Sequence, residues 1–349
     1  MREMAVQPAS PDADAASEGV VVVTVTYGER RALLQRVLDS LRAQGVVCAV
    51  VVNNGAWWPV GTTLKAAYGG FVDVVEMGRN TGSASGFAAG MRRAIDVGAQ
   101  FIWLLDDDNL PNPHCLEMLI AAYRDLAMPE QTSPVAVCAF RSGIHSRLET
   151  GLENADRMET EQCFLGFHIL RTINKLLAKV KREYVTTEPN RSVSRIRLKR
   201  AAYGGLLFNV ELIHQIGWPR SDFVLYEDDT EWTSRIDRRK GRIVLTLDAV
   251  IEDLEGSWVA SKRRGSGFLA WVFDPNQSKV YYTIRNKIYL TMRNADVKLP
   301  MFTLNAAIYI LMLNIFCLLL LKFGRLRLIM AAIFDGFSGR LGIKPNVNM

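Results

Sequence analysis

The sequence predicts an α/β fold with a doubly wound sheet, on three observations. Residues 20–26 are a β-branched run, Val-Val-Val-Val-Thr-Val-Thr, of the kind that forms a strand buried on both faces. Strand-like and helix-like patterns then alternate, which implies parallel strands joined by right-handed crossovers. The apolar run 101–105 breaks abruptly into Asp106-Asp107-Asp108, and ligands of open α/β sheets bind at such carboxyl ends.

Each element follows from its local pattern. After the turn at Tyr27-Gly28-Glu29-Arg30, the residues Leu33, Leu34, Val37, Leu38 and Leu41 recur at helical spacing, and Gly45 stops the helix. Residues 46–52 form a second strand that runs into Asn53-Asn54-Gly55, and residues 72–77 form a third. Gly82, Gly86 and Gly90 then fall on one face of a helix, whose backbone can closely approach either the sheet or a bound nucleotide. Arg79 and Asn80, polar residues at a strand end, are expected to contact the ligand. A single Gly28 after the first strand excludes a dinucleotide fingerprint, and there is no Gly-Lys-Ser/Thr phosphate loop. Further strands are expected at 135–140 and 201–208, with the sheet pattern absent between 141 and 199 and a short helix at 210–217.

Two acidic clusters carry the chemistry. Three adjacent carboxylates at a strand end repel one another, so Asp106, Asp107 and Asp108 are most simply explained by a cation that shares the site. Oxygen-only ligation suits Mg²⁺ or Mn²⁺, which keep part of their shell for substrate phosphates. The plainer alternative is a solvated loop capping the next helix, near 113–124. The second cluster, Tyr226-Glu227-Asp228-Asp229-Thr230-Glu231-Trp232, has more acids than a helix start needs. Crowding raises at least one of their pKa values, which fits a general base acting on a hydroxyl.

Composition bounds the rest. A chain of 349 residues with 49% hydrophobic content can bury a full core. The net charge of +6 is uneven, with ten Lys or Arg against two Glu over residues 171–200, which points to an anionic partner. The interleaving needed for nucleic acid is missing. Within that block, residues 167–184 read as a basic amphipathic helix, either a membrane-surface element or lid, or an ordinary solvated face. Five scattered cysteines form no C-x-x-C pair and fit a reducing compartment. Residues 1–18 have no signal pattern and are expected to be disordered. Residues 299–321 carry no charge and are long enough to span a bilayer, although Thr303, Asn305 and Asn314 favour lying in the interface or docking on the protein.

The ordered set Val-Thr-Tyr, Val-Asn-Asn-Gly, Arg-Asn-Thr-Gly, Leu-Leu-Asp-Asp-Asp, Tyr-Gly-Gly, Asp-Asp-Thr-Glu-Trp and Tyr281-Tyr282-x-x-Arg285-Asn286 resembles the family 2 inverting glycosyltransferases. It is most similar to the rhamnosyltransferase and galactofuranosyltransferase-like members that build bacterial surface polysaccharides. The resemblance covers roughly residues 20–286, with a looser echo at Asp335-Gly336 and Gly339-Arg340-Leu341-Gly342.

That resemblance implies a glycosyltransferase A-type fold and a set of roles. Thr26, Tyr27 and Asn53 would cradle the nucleotide base, and Arg79 and Asn80 the nucleoside. Asn53 stands where relatives often have Asp, and its carbonyl can still accept a ring N–H. Asp106 and Asp108 would hold Mn²⁺ or Mg²⁺ on the donor diphosphate, with Asp107 between them. Asp253 would be the third metal ligand, in place of the family's His. Asp229 would be the catalytic base, with Asp228 as rival. Tyr203, Gly204, Gly205, Trp218 and Trp232 lie where an acceptor sugar could stack, or in the core.

The implied partners are a nucleotide diphosphate-sugar, UDP-galactofuranose or dTDP-rhamnose foremost, a lipid-linked or oligosaccharide acceptor, and a membrane surface; an oligomer is also open. The expected organisation is a disordered stretch 1–18, a catalytic domain 19–260 with a basic helical insertion 143–200, and a C-terminal helical region 261–349 at the cytoplasmic face of the membrane. A non-catalytic membrane scaffold and a sugar nucleotidyltransferase are the competing classes.

Overall fold

The structure is a computed structural model, and it describes residues 19–127, 133–145, 162–174, 194–255, 267–293, 297, 299–345 and 347. Strand β1 (Val20–Gly28) is buried from residue 20 to 26 because it lies between two parallel neighbours, β2 (Cys48–Ala56) and β4 (Phe101–Asp106). Its side chains alternate between faces. Val20 and Val22 join one core with Leu34, Leu38 and Trp103, while Val21, Val23 and Val25 join the other with Phe87, Met91 and Leu104.

Among the described residues the sheet has nine strands in the order β3-β2-β1-β4-β8-β6-β9-β5, with β7 also paired to β9. Here β3 is Val72–Glu76, β5 Asn109–Pro111, β6 Val135–Arg141, β7 Arg195–Leu198, β8 Leu206–Asn209 and β9 Arg242–Asp253. Helices α1 (Arg31–Ala43), α2 (Val60–Tyr68), α3 (Ser83–Asp96) and α4 (Cys115–Leu126) connect the first half as the alternation requires.

Three expectations need correction. The strand expected from residue 201 begins at Leu206 and runs antiparallel between β4 and β6. Gly205, at φ +96°, turns the chain there and bridges Leu104 and Ala139 by backbone hydrogen bonds. The sheet pattern also returns before residue 199, because β7 pairs with β9 while Arg195 and Arg197 form ion pairs with Asp125 and Asp237. Finally, residues 109–111, expected as turn, form β5 on the end of β9. Of the expected basic helix 167–184, helical backbone is seen at 169–174, and residues 175–184 lie outside the described residues, as do residues 1–18 and most of the 143–200 insertion.

The spaced glycines of α3 serve packing. A Cβ at Gly90 would lie 2.3 Å from Val23 Cγ1 and 2.9 Å from Val52 Cγ2, and one at Gly86 2.9 Å from Val25 Cγ1. The backbone of α3 therefore rests directly on β1 and β2, and its Gly86 and Gly90 face valines.

Beyond the sheet, α5 (Glu211–Ile216) and α6 (Asp228–Arg238) lead into β9, and α7 (Gly267–Phe273), α8 (Gln277–Met292), α9 (Leu299–Leu319) and α10 (Phe323–Ser338) build a third apolar core. That core includes Phe164 and Val224, so the C-terminal helices are packed onto the catalytic half. Helix α9 is the one helix among the described residues that is long and apolar enough to cross a membrane. One stripe of it, Phe302, Asn305, Ala306, Tyr309, Leu313 and Cys317, is buried, and Asn305 joins Ile169 N and Gln162 O. The opposite side exposes Leu304, Leu311, Ile315, Leu318 and Leu319.

Because no void waits for it, a methyl group at position 90 should strain the helix-sheet contact. Gly90→Ala is expected to lower unfolding free energy by about 1–3 kcal/mol in a urea titration.

Candidate active site

Register brings the expected residues to one edge of the sheet. Asp106 pairs with Val25, Thr26 with Asn53, and Asn53 with Glu76, all at the carboxyl ends of parallel strands. Ligand sites of α/β sheets form at this edge. Tyr27, the first residue past the buried run, is 48% exposed, and the Arg30 guanidinium lies 5.2 Å from its ring centre. Thr26 is fully buried beneath it.

Asn53 is committed on both ends of its amide. Its Oδ1 accepts from Ala56 N at 2.9 Å, and its Nδ2 donates to Glu76 Oε2 at 2.6 Å. A carboxylate thus stands beside Asn53 even though none is carried on it. Asn54, which the sequence reading passed over, organises the next loop. Its Oδ1 accepts from the backbone and hydroxyl of Thr81, and its Nδ2 donates to Gly82 O. Asn80 accepts from Gly82 N, and Arg79 is exposed at the rim.

The acidic triplet divides three ways. Asp106 keeps a side chain 40% exposed toward the cleft. Asp107 is buried and accepts from Arg30 Nε at 2.7 Å; burial pushes its pKa up to about 7, with Arg30 opposing the rise. Asp107, expected between the two metal ligands as a donor-site residue, is thus engaged by Arg30. Asp108 lies 3.5 Å from Arg30 Nη2, and its pKa is raised by burial and by Asp106 and Asp253. Arg30 also pairs with Glu255.

Asp253 reaches the same edge from β9, but an arginine meets it there. Buried Arg141, at the end of β6, donates to Asp253 Oδ1 from Nε at 2.8 Å, to Asp106 Oδ2 at 3.3 Å and to Gly204 O at 3.2 Å. Asn109 Nδ2 donates to the same Asp253 oxygen at 3.0 Å. Among the described residues no three His, Cys, Asp or Glu side chains close around a common point, so the expected trio of Asp106, Asp108 and Asp253 does not form. Arg141 occupies the interval. Asp106 and Asp108 remain as two oxygen donors on one turn, the first with a side chain 40% exposed and the second 17%, a donor set whose chemistry suits a hard divalent cation.

Gly204 belongs to this centre by contact. A Cβ on it would lie 2.2 Å from Asn109 Oδ1, 2.3 Å from Arg141 Nη1 and 2.6 Å from Asp106 Oδ2. Tyr203 and Trp232, by contrast, are interior residues that pack with Phe87 and Phe208, and Trp232 Nε1 donates to Gly217 O. Both therefore take the second of the two expected places, the core. Trp218 is half-buried under the Arg92 guanidinium, 4.6 Å from its ring.

The second cluster sits at the start of α6. Asp228 is 3% exposed and both its oxygens accept from Ser83 Oγ at 3.0 Å, at the start of α3. Glu231 is clamped by Arg235 at 2.5 Å, and Glu227 lies 3.4 Å from Lys287 Nζ. Asp229 is held by Thr230 N at 2.6 Å and forms no ion pair among the described residues. Burial pushes its pKa up to about 7, with Glu227 and Asp106 adding to the rise. Burial and Asp229 raise Asp228 further.

Residues 21–129 match the family model Glycosyl transferase family 2, and the chain carries a glycosyltransferase domain of that family. The chain is 26% identical over 282 residues to galactofuranosyltransferase GlfT1 of Mycolicibacterium smegmatis, covering 78% of this chain and 83% of that one. Its fold is similar to the crystal structure of GalNAc-T7 with UDP, GalNAc and Mn²⁺, at a TM-score of 0.51 and 13% identity over 78% of this chain. The chain spans about half of that protein, 47% of its length.

Removing Arg141 would leave buried Asp253 without its cation. Arg141→Met is expected to lower stability by about 3–5 kcal/mol in a denaturant titration, and Asp253→Asn added to it should recover part of the loss.

Proposed function

We propose that this glycosyltransferase moves a sugar from a nucleotide diphosphate-sugar to a hydroxyl of a lipid-linked or polysaccharide acceptor, with inversion, in bacterial envelope glycan synthesis. Galactofuranose is the favoured sugar because the curated relative is a galactofuranosyltransferase; rhamnose is the alternative. The observation that carries the mechanism is Asp229, a carboxylate in the cleft that is held by Thr230, lacks a cationic partner among the described residues and has a pKa raised toward neutrality. Its neighbours Asp228, Glu231 and Glu227 are each engaged elsewhere.

In this reading Asp229 takes the proton of the acceptor hydroxyl as its oxygen forms a bond to the anomeric carbon. The bond from that carbon to the diphosphate oxygen breaks on the opposite face, and its electron pair leaves with the diphosphate. Asp106 and Asp108 would hold Mn²⁺ or Mg²⁺, which supplies charge stabilisation to the leaving group. Arg141 holds Asp106 in place, while Arg30 draws Asp107 away from the cleft and braces Asp108. Tyr27, Asn53 with Glu76, Arg79 and Asn80 form the rim proposed for the nucleoside. The exposed apolar side of α9, with Phe334 and Phe337 of α10 and exposed Lys322 and Arg327 beside them, supports a lipid surface as the place of work. That arrangement suits an acceptor carried on a lipid.

The direct test is nucleotide release across a panel of sugar nucleotides, with Mn²⁺ or chelator and with or without bacterial lipid extract. Asp229→Asn should reduce transfer on the order of 10²–10⁴-fold and leave donor affinity unchanged. In the wild type, activity should rise with pH as Asp229 loses its proton, along an acid limb at or below about pH 7. Wild-type turnover by the variant, or a flat profile, would remove Asp229 as base.

Metal dependence has a separate readout. UDP with Mn²⁺ should raise the melting temperature of the wild type by mass action, and Asp108→Ala should abolish the part of the shift that requires Mn²⁺. An unchanged shift would exclude Asp108 from the metal site.

A further inference from the structure

Three consecutive residues of α8, Arg285, Asn286 and Lys287, all reach the segment that leads into Asp228 and Asp229. Asn286 is fully buried, and its Nδ2 lies 3.0 Å from Phe223 O, 3.0 Å from Leu225 O and 2.7 Å from Tyr226 O. Arg285, also buried, donates from Nη2 to Phe223 O at 2.9 Å and from Nη1 to Gly342 O at 2.5 Å. Lys287 is ion-paired with Glu227. The segment they hold is conformationally costly: Val224, Tyr226 and Glu227 have φ of 67°, 62° and 62°, values that L side chains adopt at a cost of order 1–3 kcal/mol each.

The opposite side of the same segment is fixed by α3. Val224 O accepts from Ala84 N at 3.3 Å, and a Cβ on Gly82 would lie 1.9 Å from that oxygen. The carboxylates that follow are thus aimed by a strained loop gripped between two helices, one of which comes from the C-terminal region. The groups that Asn286 meets in this loop are the backbone carbonyls of Phe223, Leu225 and Tyr226. An amide with its two N–H groups spent on backbone oxygens is fully occupied.

The geometry points to Asn286 as a positioning residue of the transfer reaction: its amide, flanked by Arg285 and Lys287, fixes the strained 223–227 loop and so sets where Asp229 stands in the cleft. The inference rests on the assignment of Asp229 as base. It makes helix α8 part of the active site without touching substrate. Loss of the clamp lets the loop relax, which moves the base while leaving the donor edge, built from β1, β2 and β4, as it was.

The test compares Asn286→Ala and Lys287→Ala with Ser278→Ala, which removes a buried hydroxyl that donates to Asn276 Oδ1 at the start of the same helix and does not reach the loop. Asn286→Ala is expected to lower kcat 10- to 100-fold per folded molecule, with the donor KM and UDP-Mn²⁺ affinity within about threefold of wild type. Lys287→Ala, at a half-exposed position that tolerates truncation, should lower kcat a few-fold in the same pattern, and it carries the test if Asn286→Ala does not fold. Ser278→Ala should lower the melting temperature and leave kcat unchanged. Asp229→Asn is assayed beside them. If it is inactive while both clamp variants keep wild-type kcat, the base stands and the clamp is overturned. If Asp229→Asn turns over normally, the base assignment falls instead. Equal losses in kcat and donor affinity would also overturn the clamp, because they would mean general loosening of the fold.

Discussion

The pairing of Arg141 with Asp253 and Asp106 is the interaction on which the cleft depends. Carboxylates from two strand ends, β4 and β9, converge on one buried arginine, Asp253 enclosed and Asp106 partly exposed, and their mutual repulsion strengthens where the local dielectric falls. A buried guanidinium with donors spread over a rigid plane can meet both carboxylates and the Gly204 carbonyl at once, which a lysine could not. Gly204 has to be glycine for this, since any side chain would enter the space that Arg141 and Asn109 occupy. The Tyr-Gly-Gly motif therefore shapes the acidic centre through its backbone.

The same requirement for positive charge explains what the sequence made legible and what it hid. Strands ending in carboxylates could be read from apolar runs, because a strand buried on both faces leaves a continuous signature and its break marks the sheet edge. The demand for a cation near Asp106, Asp107 and Asp108 was also legible, from repulsion alone. Part of the answer was not, because Arg30 and Arg141 lie 76 and 35 residues from Asp106, and long-range pairing leaves no local pattern. The setting of Asp253 stayed hidden for this reason: the resemblance implied a third metal ligand there, and its arginine partner comes from β6. Trp232 and Tyr203 were ambiguous for a different reason, since an aromatic residue within a motif reads alike whether it packs inward or faces a sugar.

Asp228 and Asp229 illustrate how structure separates chemically identical neighbours. Consecutive residues at a helix start point in different directions, so one carboxylate meets Ser83 at the head of α3 and the other accepts from the backbone N–H of Thr230. Burial raises both, and each has its own anchor, the Ser83 hydroxyl for Asp228 and the Thr230 backbone for Asp229. Sequence could rank the pair only by resemblance, whereas the contact with Ser83 gives a physical reason.

The C-terminal helices follow from this arrangement as a working part of the enzyme. An apolar helix of 21 residues would read as an anchor, yet its Asn305 is turned inward to satisfy the backbone around residues 162–169, and its buried stripe completes a core with Val224. Helix α10 closes on α8 at Gly336, where a Cβ would lie 2.7 Å from Arg285 O. The residues that grip the catalytic loop thus stand on a helix whose other contacts are the apolar pair α9 and α10. Any force that seats the outer face of that pair acts on a body which also holds the 223–227 loop, so that outer face and the placement of Asp229 share one mechanical element. A tether of flexible chain would leave these two properties independent; the packed arrangement binds them together.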